Sequence, residues 1–277
     1  MCAICIKRLN RDNTSIEVII IETIENTTIW DFPDRGNWLN HDGKYRGNWS
    51  PHVPKNLIIR YSQEGDVILD QFIGGGTTLI EACRLNRKCI ALDINNNALN
   101  LCEEKIKIFK EDKKYFIGKC DARNLSIIKD NSIDLICTHP PYANIIKYSK
   151  DNEKDISLLE FDEYFKSMKE VAKSCYRVLK HKKYCCILIG DTRKNGFIQP
   201  LGFNVMNIFL QQGFILKEII IKKQNNCRFT DRWKDICKKR NLYLIEHEYL
   251  FIFYKIEWYG WTNVVKYDNL NSNNKII

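Results

Sequence analysis

The chain has 277 residues, 44% of them hydrophobic, and a formal net charge of +9. It can bury a full core, as one large domain or two small ones, and its basic balance suits a polyanionic partner as well as an ordinary solvated surface. No apolar run reaches the roughly 18 residues of a membrane helix and no signal-peptide pattern opens the chain, so a cytoplasmic protein without membrane contact is expected.

Residues 1–29 are set aside as an N-terminal extension containing one strand, "IEVIII" at 16–21, marked by β-branched enrichment. A Gly-, Asn- and Trp-rich loop follows, in which "RGNW" occurs at 35–38 and again at 46–49. Two copies of four residues are too short for a repeat architecture.

From there short apolar runs alternate with helical segments. The runs are "DVILD" (66–70), "KCIALD" (88–93), "YFIGK" (115–119), "IDLICT" (133–138) and "YCCILIG" (184–190). Helices are predicted over 77–86, 95–110 and 158–180. The last carries Phe161, Tyr164, Phe165, Met168, Val171, Ala172, Cys175, Val178 and Leu179 at i, i+3, i+4 spacing. This alternation predicts an α/β fold with a doubly wound, mostly parallel sheet. After Pro200 the pattern changes: "GFILKEIIIKK" and "YLIEHEYLFIFYK" read as two long strands joined by a basic loop, which makes an antiparallel edge hairpin. Residues 30–258 form the expected catalytic domain and 259–277 a polar, frayed tail. The twelve cysteines read as reduced, buried small hydrophobes. Cys2 and Cys5 form one C-x-x-C, but no second pair at zinc-ribbon spacing follows, so no metal site is expected.

Two strand ends carry the chemistry. The first runs into "DQFIGGGTTLIEA", where Gly74, Gly75 and Gly76 let the backbone turn tightly just before a helix. Ligands bind at such carboxyl ends in open α/β sheets. The next strand ends in Asp93, placed to accept hydrogen bonds from ribose hydroxyls, and the third is followed by Asp121. A dinucleotide oxidoreductase competes for this pattern, but Leu79 stands where its fingerprint needs a third glycine. As an alternative, Asp93 and Asp121 could be helix caps or turn residues. The second strand end is "DLICTHPPYANI", whose Pro140–Pro141 pair stops the strand on a stiff elbow carrying His139 and Tyr142.

Together these stretches resemble the S-adenosylmethionine-dependent DNA amino-methyltransferases. Phe72, Gly74, Gly76, Thr77 and Thr78 match that family's motif I, "HPPY" resembles motif IV, and "GNWSPHVPKNLIIRYS" resembles motif X. The order X, I, IV is that of the gamma arrangement, and the resemblance runs from about Trp30 to Lys255. It implies a class I methyltransferase fold, with S-adenosyl-L-methionine as cofactor. Asp70, Phe72, Gly74, Gly76 and Thr77 would then line its methionine end, Asp93 would hold its ribose and Asp121 its adenine amino group. Gln71 departs from the usual Pro, a position that shapes the turn.

In that family the amino group of a flipped cytosine or adenine is methylated directly, with no metal and no covalent intermediate. Its lone pair is delocalised into the ring, so hydrogen-bond acceptors around the N–H groups favour the pyramidal nitrogen that attacks. The Pro140 carbonyl and residue 139 would be those acceptors and Tyr142 a stacking face, all held by the rigid Pro140–Pro141 pair. His139 stands where the family has a carboxylate, amide or hydroxyl. Only a neutral imidazole has an acceptor nitrogen. With an unperturbed value near 6.5, activity is expected to fall as pH drops from about 8 to about 5.5. The alternative is that His139 points away and Pro140 accepts alone.

For target recognition, "KKQNNCRFTDRWKDICKKR" (222–240) interleaves basic residues with aromatics. Lys222, Lys223, Arg228 and Arg232 would contact phosphates and Trp233 would support a strand with an extruded base, unless the run is a solvated face. The loop 35–49 is a second candidate surface. The expected partner is double-stranded DNA, with a cognate restriction endonuclease as a companion and a monomer or homodimer as the assembly. N4-cytosine and N6-adenine both stay open. So do an RNA guanine-N2 methyltransferase, which shares a Gly-rich loop and a D-P-P-Y, and a non-catalytic DNA-binding subunit with a degenerate elbow.

Overall fold

The structure, a computed structural model, describes residues 4–9, 16–21, 24–109, 114–149, 152–225 and 230–257. β1 (Ile4–Leu9) and β2 (Ile16–Ile21) form an antiparallel pair, so the strand expected at 16–21 has a partner that composition did not reveal. Then come β3 (Ile29–Trp30), α1 (His52–Tyr61), β4 (Val67–Asp70), α2 (Thr77–Arg84), β5 (Lys88–Asp93), α3 (Asn96–Ile106), β6 (Tyr115–Lys119) and β7 (Ile133–Thr138). The second half contains α4 (Phe161–Val178), β8 (Leu179–Ile189), β9 (Thr192–Lys194), β10 (Phe197–Gln199), α5 (Leu201–Gln211), β11 (Ile215–Lys223), α6 (Thr230–Lys239) and β12 (His247–Lys255).

Among the described residues one sheet has the order β3-β11-β12-β8-β7-β4-β5-β6. The five strands from β8 to β6 run parallel, and β12 is antiparallel to both β8 and β11. The doubly wound sheet and its antiparallel hairpin are therefore as expected, except that short β3 adds a parallel strand outside β11. All six residues of β7 are buried, because helices cover both faces of a central parallel strand. Alternate residues feed two cores. Ile136 joins Leu69, Tyr164, Met168, Val171 and Phe209 beneath α4 and α5. Leu135 and Cys137 join Val53, Leu57, Leu79 and Leu99 beneath α1, α2 and α3. Truncating a fully buried aromatic such as Phe209 to Ala would cost about 3–5 kcal/mol.

Several expected boundaries move. The helices expected over 77–86 and 95–110 stop at Arg84 and Ile106, and the one over 158–180 begins at Phe161 after a 3-10 turn at Ile156–Leu158. β8 starts at Leu179 rather than 184, since its polar opening "KHKK" is still strand, with Lys182 at φ +60°. The basic loop after β11 contains α6, whose apolar Ile236 and Cys237 pack inward while Arg232, Lys234, Asp235, Lys238 and Lys239 are exposed. The second long strand begins only at His247. Helices α1 and α5 were not anticipated. The expected tail 259–277 lies outside the described residues. No described helix is long and apolar enough to cross a membrane.

Candidate active site

β4 delivers the chain into the glycine turn. Gly74 and Gly76 adopt φ +50° and +81°, and Gly76 is the N-cap of α2. A side chain at Gly74 would be strained and would also meet the Tyr45 ring at 3.0 Å. Asp93, at the end of β5, accepts the Gly74 amide on Oδ2 at 3.0 Å and the Asn95 amide on Oδ1 at 2.9 Å. Burial pushes its carboxyl up to about 6 against those hydrogen bonds.

Asp70 is placed otherwise than expected. It does not line the cleft: its buried carboxylate accepts from Thr138 Oγ1 and Thr78 Oγ1, each at 2.6 Å, and from the Phe72 amide at 3.0 Å. It ties the ends of β4 and β7 to α2, and burial pushes it up to about 6. Gly76 and Thr77 also lie behind the cleft wall, with Thr77 Oγ1 donating to Asn48 Oδ1 at 2.6 Å.

Asp121 faces the cleft, gripped by Arg123, whose Nε and Nη2 donate to Oδ1 and Oδ2 at 3.0 and 2.7 Å. Burial would raise its carboxyl, but these bonds hold it below the usual range. The Arg123 amide also donates to Oδ1 at 3.0 Å, so three N–H groups occupy three of the carboxylate's about four lone-pair sites and Asp121 keeps capacity for one further donor.

The same cleft is walled by Phe72, Gly74, Asp93, Asp121, His139 and Pro141, so cofactor loop and elbow share one space. Gln71, expected only to shape the turn, is buried in that wall. Its Nε2 reaches Cys175 Sγ at 3.2 Å, and among the described residues its Oε1 has no partner. A tight glycine turn that lets a ligand approach the backbone, two acids after successive strands and a spare buried acceptor together fit a nucleoside bearing an ammonium group. Among the described residues no cluster of His, Cys, Asp and Glu could hold a metal.

At the elbow, Tyr164 of α4 donates its hydroxyl to the Pro141 carbonyl at 2.7 Å, fixing the prolines from below. His139 Nε2 lies 2.8 Å from Tyr142 Oη, Tyr142 donates to Glu248 Oε1 at 2.7 Å, and Lys222 Nζ donates to Glu248 Oε2 at 2.9 Å. Burial drives His139 down to about 4, with Glu248 pulling weakly the other way. This lowering moves the imidazole's titration below the range 5.5–8 expected from sequence, because the ring is desolvated. Lys222 is correspondingly not the exposed phosphate contact envisaged: its side chain is 13% exposed and committed to Glu248.

The loop 35–49 roofs the cleft. Trp38 Nε1 and His41 Nε2 both meet Glu81 Oε1 at 2.8 Å, and Arg84 holds Glu81 Oε2 at 2.7 Å. Lys105 Nζ binds Gly75 O and Asp42 Oδ1 at 3.0 and 3.1 Å. The two "RGNW" copies thus have different jobs. The first anchors the loop to α2; the second brings Asn48 to Thr77 and lays Trp49 on the His139 ring, centroids 5.6 Å apart. Tyr45 stacks on Tyr148 across the entrance.

Beyond the elbow an open cleft lined by His139, Pro140, Tyr142, Lys223 and Asn225 continues into a second one lined by Arg193, Trp233 and Arg240. Trp233 is 51% exposed and Arg232 is exposed; Lys223 pairs with Asp31 at 3.2 Å. Arg228 lies outside the described residues. Sequence reasoning missed Glu248 and Tyr148 as members of the site, and it placed Asn48 and Trp49 in the motif X stretch and the candidate surface 35–49 without giving either a role. The paired "RGNW" was the signal available for the latter two.

A family model described as DNA methylase, of the N6/N4 type, matches residues 10–104 and 133–276. A second, an RMKL-like methyltransferase domain, matches 59–187. Among curated relatives, the type II methyltransferase M.MjaVI of Methanocaldococcus jannaschii is 27% identical over 154 residues, 55% of this chain and 77% of that protein. M.HpaI of Haemophilus parainfluenzae is 30% identical over 81 residues, covering 29% of this chain and 26% of the relative. A tRNA (guanine(10)-N2)-dimethyltransferase of M. jannaschii is 35% identical over 152 residues, 49% of this chain and 42% of that protein. In fold, the chain is similar to a SAM-dependent methyltransferase from Methanosarcina mazei, with TM-score 0.51 and 16% identity over 73% of this chain and 98% of that one.

Proposed function

Because the chain belongs to the DNA methylase family and is thereby an S-adenosylmethionine-dependent methyltransferase, we propose that it methylates the exocyclic amino group of a cytosine (N4) or an adenine (N6) in double-stranded DNA. The observation that carries this reading is the shared cleft: Gly74, Asp93 and Asp121 stand on one side, and His139 and Pro141 close the other.

When bound, S-adenosylmethionine supplies an electrophilic methyl group on a sulfonium. Gly74 and Phe72 would hold its methionine end, Asp93 its ribose hydroxyls and Asp121 its adenine amino group. Asp70, Gly76 and Thr77 would act from behind, by fixing the turn. Trp49 and the loop 35–49 exclude water from the cleft, which strengthens each of these contacts.

On the far side, Pro140 and Tyr142 line the opening that would admit an extruded base. The Pro140 carbonyl and the neutral His139 ring would accept the two amino protons, favouring the pyramidal nitrogen. Stiff prolines pinned by Tyr164 keep those acceptors in place without reorganisation. Lys223, Arg232 and Trp233 would follow the strand along the continuing trough, with Arg228 in the same segment. We further read the motif order as gamma-type, the location as cytoplasmic and the assembly as a monomer or homodimer. The type II relatives make a restriction endonuclease of the same specificity the expected companion.

A second reading, methylation of guanine N2 in tRNA, is favoured by the resemblance to the tRNA dimethyltransferase. Purified protein given methyl-labelled cofactor with either mixed genomic DNA or tRNA separates the two after digestion to nucleosides. Label in N4-methylcytosine or N6-methyladenine is expected. Label confined to N2-methylguanosine from tRNA, or none from DNA, would overturn the proposal.

A further inference from the structure

Four side chains from three separate segments form one line, Lys222–Glu248–Tyr142–His139, with successive distances of 2.9, 2.7 and 2.8 Å. Tyr142 and Glu248 are 106 residues apart and meet because β12 runs antiparallel. It thereby brings its first residues to the edge where the parallel strands end. The donors and acceptors along this line admit only one arrangement. A lysine ammonium has donors and no acceptor, so Glu248 Oε2 accepts from it. An ionised carboxylate only accepts, so Oε1 takes the single proton of the Tyr142 hydroxyl. The Tyr142 oxygen then offers nothing but a lone pair to His139 Nε2. That nitrogen must carry the hydrogen.

We infer that Glu248, acting through Tyr142, is a positioning residue that selects the Nε2–H tautomer of His139 and leaves Nδ1 as its bare acceptor. The inference rests on the reading of His139 as an acceptor for the target amino group. Nδ1 is bonded to Cγ, as is the side-chain oxygen of an Asp or Asn, so this tautomer puts a lone pair where a carboxylate or amide would have one. The opposite tautomer would set two lone pairs against each other at Nε2, or turn the Tyr142 proton away from a buried carboxylate; either is costly. Burial of the ring separately keeps the doubly protonated form away at neutral pH. The charged groups facing His139 are Glu248 and Lys222, and Trp49 covers its face. A histidine can therefore occupy this elbow if its far nitrogen is saturated from β12.

The test is a ¹⁵N NMR spectrum of histidine-labelled protein between pH 6 and 8, with the His139 signals assigned by their loss in His139→Asn. Wild type is expected to show a protonated Nε2 and a pyridine-like Nδ1. Glu248→Gln supplies an amide donor to the Tyr142 oxygen, frees its proton for Nε2, and should bring the Nδ1–H form into view. A wild-type spectrum with hydrogen on Nδ1 would overturn the assignment without any variant, and so would an unchanged tautomer in folded Glu248→Gln. Single-turnover methyl transfer gives a second arm. Glu248→Gln should slow transfer by about tenfold or more with His139 present, but by less than about threefold in the His139→Asn background, whose oxygen needs no tautomer. Equal slowing in both backgrounds would reduce Glu248 to a structural part and sink the proposal. Absence of transfer by wild type to any DNA would count against the proposed function, while the spectra would still decide the tautomer.

Discussion

Trp49 lies on the imidazole of His139, ring centroids 5.6 Å apart and planes inclined by 25°. The roof over the cofactor cleft is thus also what dries the elbow, and dryness sets the pH range in which His139 stays neutral. Wild-type transfer at saturating cofactor should be flat from pH 8 to 5.5 and fall only toward pH 4, where the ring gains its proton. Trp49→Ala readmits water, so the imidazole value rises toward about 6.5. Its single-turnover rate should then drop severalfold between pH 7 and 5.5. A flat profile for Trp49→Ala would disconnect the two residues.

Asp93 predicts a different pH effect, on cofactor binding. Burial raises it to about 6, and ribose hydroxyls would donate to its ionised form. Cofactor affinity should therefore be full above about pH 7 and weaken as pH falls through 6. Asp93→Ala removes a charge-assisted acceptor worth about 1.5–3 kcal/mol, or roughly 10–150-fold in Kd, by titration calorimetry. Cofactor affinity unaltered by Asp93→Ala would remove this residue from the site.

Asp70 should report on stability. Asp70→Ala strands two buried hydroxyls and the Phe72 amide, with a cost of about 2–4 kcal/mol in urea unfolding. The folded carboxyl, at about 6, lies above its unfolded value of 3.8, so the folded state binds the proton more tightly. This group's contribution is fully present below pH 3.8 and is lost as pH rises through 6. Asp70→Asn should flatten that part of the stability profile.

Gly75 tests the roof. A Cβ there would meet Asn48 Nδ2 at 2.8 Å and Tyr45 Cβ at 3.0 Å, both on the covering loop. Gly75→Ala should push the loop outward and weaken cofactor binding by about tenfold or more, with unfolding changed by less than about 1 kcal/mol. Equal affinity would mean that the roof does not touch the bound nucleoside.

The exposed trough makes a salt prediction. Arg232→Ala should reduce the slope of log K against log salt by about 1 for duplex DNA, whatever the sequence. Trp233→Ala should leave that slope alone and reduce affinity for DNA carrying an extruded base, by about 1–3 kcal/mol for a lost stacking platform. Slopes unchanged in Arg232→Ala would place α6 away from phosphate.

The contacts that sequence revealed are the local ones. Gly74, in the turn after β4, and Asp93, at the end of the adjacent parallel β5, are 19 residues apart, and strand-end logic brings them together without knowledge of the rest. His139 to Tyr142 is one elbow, legible from two prolines. Glu248 was hidden inside an apolar run, and only the reversed direction of β12 carries it to the elbow. Lys222 read as surface because a basic segment surrounds it, although its own neighbour across the strand pair is Glu248. Asp70 matched a motif by position while its carboxylate turned inward to Thr78 and Thr138. The basic period of α6 concealed two inward residues, since charge dominates a window in which, among the described side chains, Ile236 and Cys237 turn toward the protein.

The place of β12 in the sheet has a consequence in time. It is the last described strand in the chain, yet it lies between β8 and β11, not at an edge. A chain emerging from the ribosome can assemble the five parallel strands and the glycine turn from its first 190 residues. It cannot join β11 to them, nor supply Glu248, until residues 247–255 have been made. Nascent protein would thus acquire its cofactor cleft and its elbow before Glu248 can reach His139 through Tyr142.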